Sequence, residues 1–166
     1  MFQIGEVVAY GATGICTVED VKVMSLSRAG KQEYYILRPA AAPTCITYVP
    51  TANEALTGKM RRVYSAREIN ALIETVKGEK LEWIEDTRHR ADVFGQIVTK
   101  GISADLLRLI GCLYLEKKAR ASEGKKFCAT DEKILNAAER IVSEEFAYAL
   151  HIPQKEVSAY IADKMK

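Results

Sequence analysis

Long apolar runs are missing from this sequence. The longest is Leu109–Leu115, closed off by Arg108 and Glu116, whereas crossing a bilayer takes about 20 apolar residues in a row. No membrane-spanning helix is expected. The N-terminus, Met1-Phe2-Gln3-Ile4-Gly5-Glu6, lacks a basic stretch followed by an apolar core, which predicts no export signal and a cytosolic protein. Cysteine is scarce. Cys16, Cys45, Cys112 and Cys128 are widely spaced and never form Cys-x-x-Cys. Cytosolic chains rarely hold disulfides, so these four read as small buried hydrophobes. Histidine is scarcer still: His89 and His151 alone give a zinc site little support, and no metal or cofactor is expected.

Nucleotide-binding motifs are also lacking. Gly124-Lys125 has Ala119 where a phosphate-binding loop requires glycine, and Gly11 with Gly14 makes only a Gly-x-x-Gly turn. A Cys–His couple could form from Cys112 or Cys128 with His89 or His151, but lone residues of these types far more often pack or face solvent. Glu82, Glu85 and Asp86 lie in a charged stretch and read as solvated. The sequence therefore predicts neither an enzyme nor a small-molecule substrate. It predicts a binding protein.

What is present divides the chain in two. With 48% apolar and 28% charged residues, it has enough apolar surface to offset chain entropy. Residues 1–64 read as strands: Val7-Val8-Ala9-Tyr10 ended by Gly11 and Gly14, partial alternation from Ile15 to Val23, a turn at Ala29-Gly30, and Gln32–Arg38 with Tyr34, Tyr35, Ile36 and Leu37. Pro39 and Pro43 flank a loop before Cys45–Val49 and Pro50, then a turn around Thr51–Gly58 precedes a last strand at Met60–Tyr64. Five short strands punctuated by Gly and Pro suggest a small barrel or curled sheet.

From residue 65 the period becomes helical. Ser65 and Glu68 form a capping box ahead of Ile69, Leu72, Ile73 and Val76, and Gly78 ends that helix. Asp86–Lys100 carries Val93, Phe94, Ile97 and Val98 on one face, with Gly101 as a stop. Ser103 is expected to cap a helix with a Leu106, Leu107, Ile110, Leu113, Tyr114 stripe. Thr130 is expected to cap another, with Ile134, Leu135, Ala138, Ile141, Val142 and Phe146 inward. Pro153 opens a final short helix with Val157, Tyr160 and Ile161. The fold class is α+β, an all-β domain over 1–64 followed by an all-helical domain over 65–166.

The net charge of +2 is too small to announce a nucleic-acid binder, but its distribution is uneven. Arg108, Lys117, Lys118, Arg120, Lys125 and Lys126 face only Glu116 and Glu123, whereas Asp131–Glu145 is acidic. That gives one basic corner. A solvated helix end, with cations near its C-terminal dipole, explains it equally well. Trp83, the one tryptophan, lies between two helices and is followed by Arg88 and Arg90. A lone Trp is usually a core residue. The competing reading is an apolar wedge against a base step, with nearby Arg and Lys holding phosphates. In the front domain an exposed strand edge could accept a partner's strand, with Arg38 and Tyr48 as candidate contacts.

Phe2-x-Ile4-Gly5-x-x-Val8-x-Tyr10, Gly14, Val18-Glu19, Glu33-Tyr34-Tyr35-x-Leu37 and Tyr48-Val49-Pro50 together resemble the opening module of the CarD/CdnL family, shared with the transcription-repair coupling factor. The helical half fits more loosely, through its Trp, Lys100-Gly101, the Lys/Arg-ended helix and Asp131-Glu132-Lys133. The resemblance implies a Tudor-like (SH3-like) barrel that binds the β subunit of RNA polymerase. It also implies a helical domain on promoter DNA near the melted region, where Trp83 wedges into the minor groove and favours the open complex. The polymerase-pairing strand matches Cys45–Val49, so Ile46 and Tyr48 join Arg38 as implied polymerase contacts. Trp83, Arg88, Arg90, Lys117, Lys118, Arg120, Lys125 and Lys126 are the implied DNA contacts. Two departures stand out: Gly11 replaces a proline common in the family, and Glu85 and Asp86 intervene before Arg88. A carboxylate beside a phosphate costs roughly 1 kcal/mol in a wet setting. The alternative function is a polymerase adaptor that never touches DNA.

Overall fold

The computed structural model describes all 166 residues. They divide into two compact units, Met1–Val63 and Tyr64–Lys166. No helix is long and apolar enough to cross a membrane.

The first unit is a five-stranded antiparallel sheet of order β4-β3-β2-β1-β5, formed by β1 (Val7–Tyr10), β2 (Gly14–Ser27), β3 (Gly30–Pro39), β4 (Thr47–Pro50) and β5 (Met60–Arg62). The sheet is not closed, because β4 and β5 each end it without pairing to one another. It is nevertheless curled: Val49 from one margin and Met60 from the other enter the same core as Val8, Cys16, Val18, Tyr35 and Leu37.

A bulge in β2 sets which side chains enter that core. Val18 pairs with Leu37 and Asp20 with Ile36, so Glu19 is an extra residue. An inserted residue shifts the side-chain phase by one. Inward positions accordingly change from Cys16 and Val18 to Val21, which packs against the same cluster. The N-terminal segment is sewn to this bulge by Gly5 N–H to Val18 O (2.7 Å) and Val18 N–H to Glu6 O (2.9 Å). The β2–β3 connection turns at Arg28 and Ala29, and Gly30 takes a φ of 87°, a conformation costly for any residue with a Cβ. Between β4 and β5 the expected turn contains one helical turn, α1 (Glu54–Thr57), capped by Asn53 Oδ1 accepting from Leu56 N–H, with Leu56 on the core.

The second unit contains α2 (Ala66–Val76), α3 (Thr87–Lys100), α4 (Ser103–Ser122), α5 (Ala129–Leu150) and α6 (Val157–Lys164). The Ser65–Glu68 capping box opens α2, Asp86 caps α3 and left-handed Gly101 stops it. Two expected caps shift by a residue or two. Ile102 is the N-cap of α4, and the Ser103 hydroxyl instead donates to Glu145 (3.2 Å). Cys128 is the N-cap of α5, so Thr130 lies inside the helix. The contacts Lys117–Glu132, Tyr114–Glu139 and Ser103–Glu145 rise on one helix as they fall on the other, so α4 and α5 run antiparallel. Their interface and the α2, α3 and α6 faces bury Ile69, Ile73, Phe94, Leu106, Leu109, Leu113, Leu135, Val142, Phe146 and Val157. Tyr114 of the expected stripe stays 46% exposed, while Leu109 and Cys112 are buried. Ile134 is only half-buried.

Candidate interaction sites

β4 is a sheet margin with a directional preference. Tyr35 pairs with Val49 and Ile36 with Tyr48, and Thr51 N–H donates to Glu33 O at 3.0 Å. Antiparallel pairs alternate between bonded and non-bonded, so Val49 shares the bonded phase of Thr51 and Tyr48 falls in the other. The Tyr48 N–H and C=O therefore point away from β3, toward the open side. Pro50 has no N–H to offer and ends the usable margin.

Beside that margin lies a shallow trough on the outer face, where Ile4, Ile36, Ile46 and Tyr48 are bordered by Thr17, Glu19, Asp20 and Lys22. Ile46 and Tyr48 are each 42% exposed, and Tyr48 meets the ring of Tyr34 edge-on at 6.5 Å. Ile4 and Ile36 were not among the sequence candidates. The signal for Ile36 is the unbroken run Tyr34–Leu37, since a strand with one solvated face should alternate; nothing in the local pattern singles out Ile4. Arg38 is not a free cation. Its guanidinium forms a two-point pair with Glu19, the bulge residue, and donates to Pro43 O. The pairing holds the Glu19 carboxyl below its ordinary range and the guanidinium above its own. Arg38 thus braces the loop that delivers β4 (a role within the fold), leaving Ile46 and Tyr48 as the presented side chains.

In the helical unit, Trp83 sits half-buried in the segment between α2 and α3. The Arg90 guanidinium covers its ring face at 4.2 Å, and Phe94 meets it edge-on at 6.1 Å. Arg90 corrects the expectation from sequence: it is 3% exposed and cannot reach a phosphate. Its Nε and Nη2 donate to the two Asp131 oxygens at 3.0 and 2.8 Å, and its Nη1 donates to Ile84 O and Glu85 O at 2.8 and 3.3 Å. Breaking such a buried pair costs about 3–5 kcal/mol.

The other expected cations differ in availability. Lys117 pairs with Glu132, Arg120 with Glu116, and Lys125 with Glu123, each at 2.9 Å. Arg88, Lys118 and Lys126 are exposed and belong to no ion pair. Asp131 and Glu132 are neighbours on the first turn of α5, and they receive Arg90 and Lys117 respectively. The Trp83 cluster and the basic end of α4 therefore share one end of the helical unit.

Residues 2–64 match the family described as the CarD-like/TRCF RID domain. No sequence among the curated proteins matches this chain significantly.

Proposed function

We infer that this chain, a CarD-like protein whose residues 2–64 form the domain shared with TRCF, uses that front unit to hold the β subunit of RNA polymerase and its helical unit to touch promoter DNA. The observation that carries the reading is the β4 margin. Outward-facing main-chain groups at Tyr48 adjoin a trough of apolar and charged side chains within the segment that matches the polymerase-interacting family. A strand added there gains main-chain hydrogen bonds, and Ile46 and Tyr48 supply side-chain selectivity. The five-stranded sheet is curled but open between β4 and β5, a coarser match to the expectation than a closed Tudor-like barrel.

On the helical unit, exposed Arg88, Lys118 and Lys126 flank the end that carries Trp83. Cations at a phosphate backbone set position. An aromatic wedge at the edge of melted DNA penalises reclosure and shifts the population toward the open complex. Nothing in this role requires catalysis by the factor. A second reading, an adaptor with no DNA contact, draws on a specific observation: Arg90, Lys117, Arg120 and Lys125 are already paired within the protein.

The test uses the purified chain and the polymerase holoenzyme. Tyr48→Arg should abolish capture of the β subunit while leaving the circular-dichroism spectrum unchanged. Trp83→Ala should retain capture and shorten open-complex lifetime. A folded Trp83→Ala protein with unaltered lifetime would leave the adaptor reading standing. Absence of polymerase capture by the unmodified chain would defeat both.

A further inference from the structure

We propose that Arg90, locked by Asp131, is a positioning residue that presets Trp83 in the orientation in which it meets DNA; this rests on the reading of Trp83 as the DNA wedge. Five observations converge on it. The guanidinium lies 4.2 Å from the indole centroid, within the range where a cation and an aromatic face attract. The same guanidinium donates from Nη1 to the carbonyls of Ile84 and Glu85, the two residues that follow Trp83. It therefore holds both the ring and the backbone that carries it. Its remaining donors, Nε and Nη2, are consumed by Asp131, so the guanidinium cannot rotate away without breaking a two-point ion pair. Phe94, one helical turn after Arg90 on α3, closes a second side of the ring. Asp86 then fixes the end of the segment by accepting the His89 N–H at 2.7 Å.

The charge arithmetic supports positioning over phosphate binding. Asp131 neutralises the guanidinium locally, and Arg90 and Asp131 are 3% and 2% exposed. A wedge must offset the cost of unstacking a base step. A side chain whose rotamer is already fixed avoids a further ordering cost at the moment of binding. The clamp supplies that order from two distant parts of the chain, the first turn of α5 and α3.

Trp83 is the sole tryptophan, so its fluorescence reports on this site alone. In the full chain, Arg90→Lys keeps the charge but loses the flat fork that matches both the carboxylate and the ring. Asp131→Asn keeps the shape but loses the charge. Both variants should raise the acrylamide quenching constant of Trp83 by about twofold or more as the covered face opens. Both should shorten open-complex lifetime as far as Trp83→Ala does, with polymerase capture unchanged. Unchanged quenching in both folded variants would overturn the clamp, as would lost promoter activity without a quenching change. If quenching rises but Trp83→Ala itself leaves the promoter unaffected, the clamp as a conformational lock holds, while its role toward DNA falls with the wedge reading. Should neither variant fold, the unmodified protein decides by NMR: Arg90 side-chain protons shifted upfield by the indole and slow to exchange support the clamp, and unshifted, fast-exchanging ones refute it.

Discussion

Tyr114 donates its hydroxyl to Glu139, and this bond, with burial second and the carboxylate charge third, pushes the phenol up to about 12. The ordinary tyrosine value is about 10, so the folded protein keeps this proton where the unfolded chain would release it. The contact's stabilisation is fully present below about pH 10 and is lost as pH rises from there through about 12. A phenolate difference titration of the unmodified chain against Tyr114→Phe should find this midpoint, and Glu139→Ala should return it toward the ordinary value. In the front unit, Leu37 is 0% exposed. Leu37→Ala should cost about 2–5 kcal/mol, read from the urea midpoint of unfolding. Single residues were the least legible scale in the sequence. Arg90 reads as a surface cation because its partner Asp131 is 41 positions away, and no local pattern announces a pair of that separation. Arg38 likewise pairs with a residue far along the chain, Glu19 on the neighbouring strand.

Elements were legible wherever a local rule sets them. The Ser65–Glu68 box opens α2 as the spacing requires, and Ser65→Ala should cost about 1 kcal/mol in thermal or urea unfolding. Gly101 ends α3 at a φ of 66°, so Gly101→Ala should destabilise by roughly 1 kcal/mol. Both changes should lower the midpoint without altering helix content. The starts of α4 and α5 were misread by one or two residues because Ser103 and Thr130 resemble caps by type. Ser103 turns its hydroxyl to Glu145 across the helix pair, a tertiary preference that outweighs the local one. The bulge at Glu19 explains why alternation in β2 looked only partial: the step from Val18 to Val21 spans three positions instead of two. The one-turn helix α1 was read as a turn, since four residues are too few to show a period.

Across the whole molecule, charge separates less than the basic corner suggested. Of 24 Lys and Arg and 22 Asp and Glu, seven cations and five anions lie in the first unit, leaving 17 of each in the second. The helical unit is thus neutral, and only Arg88, Lys118 and Lys126 of the expected phosphate contacts are unpaired. Counterion release from about three contacts gives a log–log salt slope near −3. Fluorescence anisotropy on free duplex DNA should therefore show weak binding with a slope no steeper than that. The domain-scale resemblance was readable because residues 2–64 carry dense, spaced motifs that match a family. The helical half offers mainly amphipathic periodicity, which many bundles share.

Pro50 closes the open margin of β4 just after Tyr48. A ledge this brief offers main-chain groups for only a few residues of any added strand. It is too short to nucleate stacking of one copy on the next, since amyloid-like growth feeds on long, flat, unpaired borders. At β4, then, the same proline that limits what can be added also limits strand-on-strand growth.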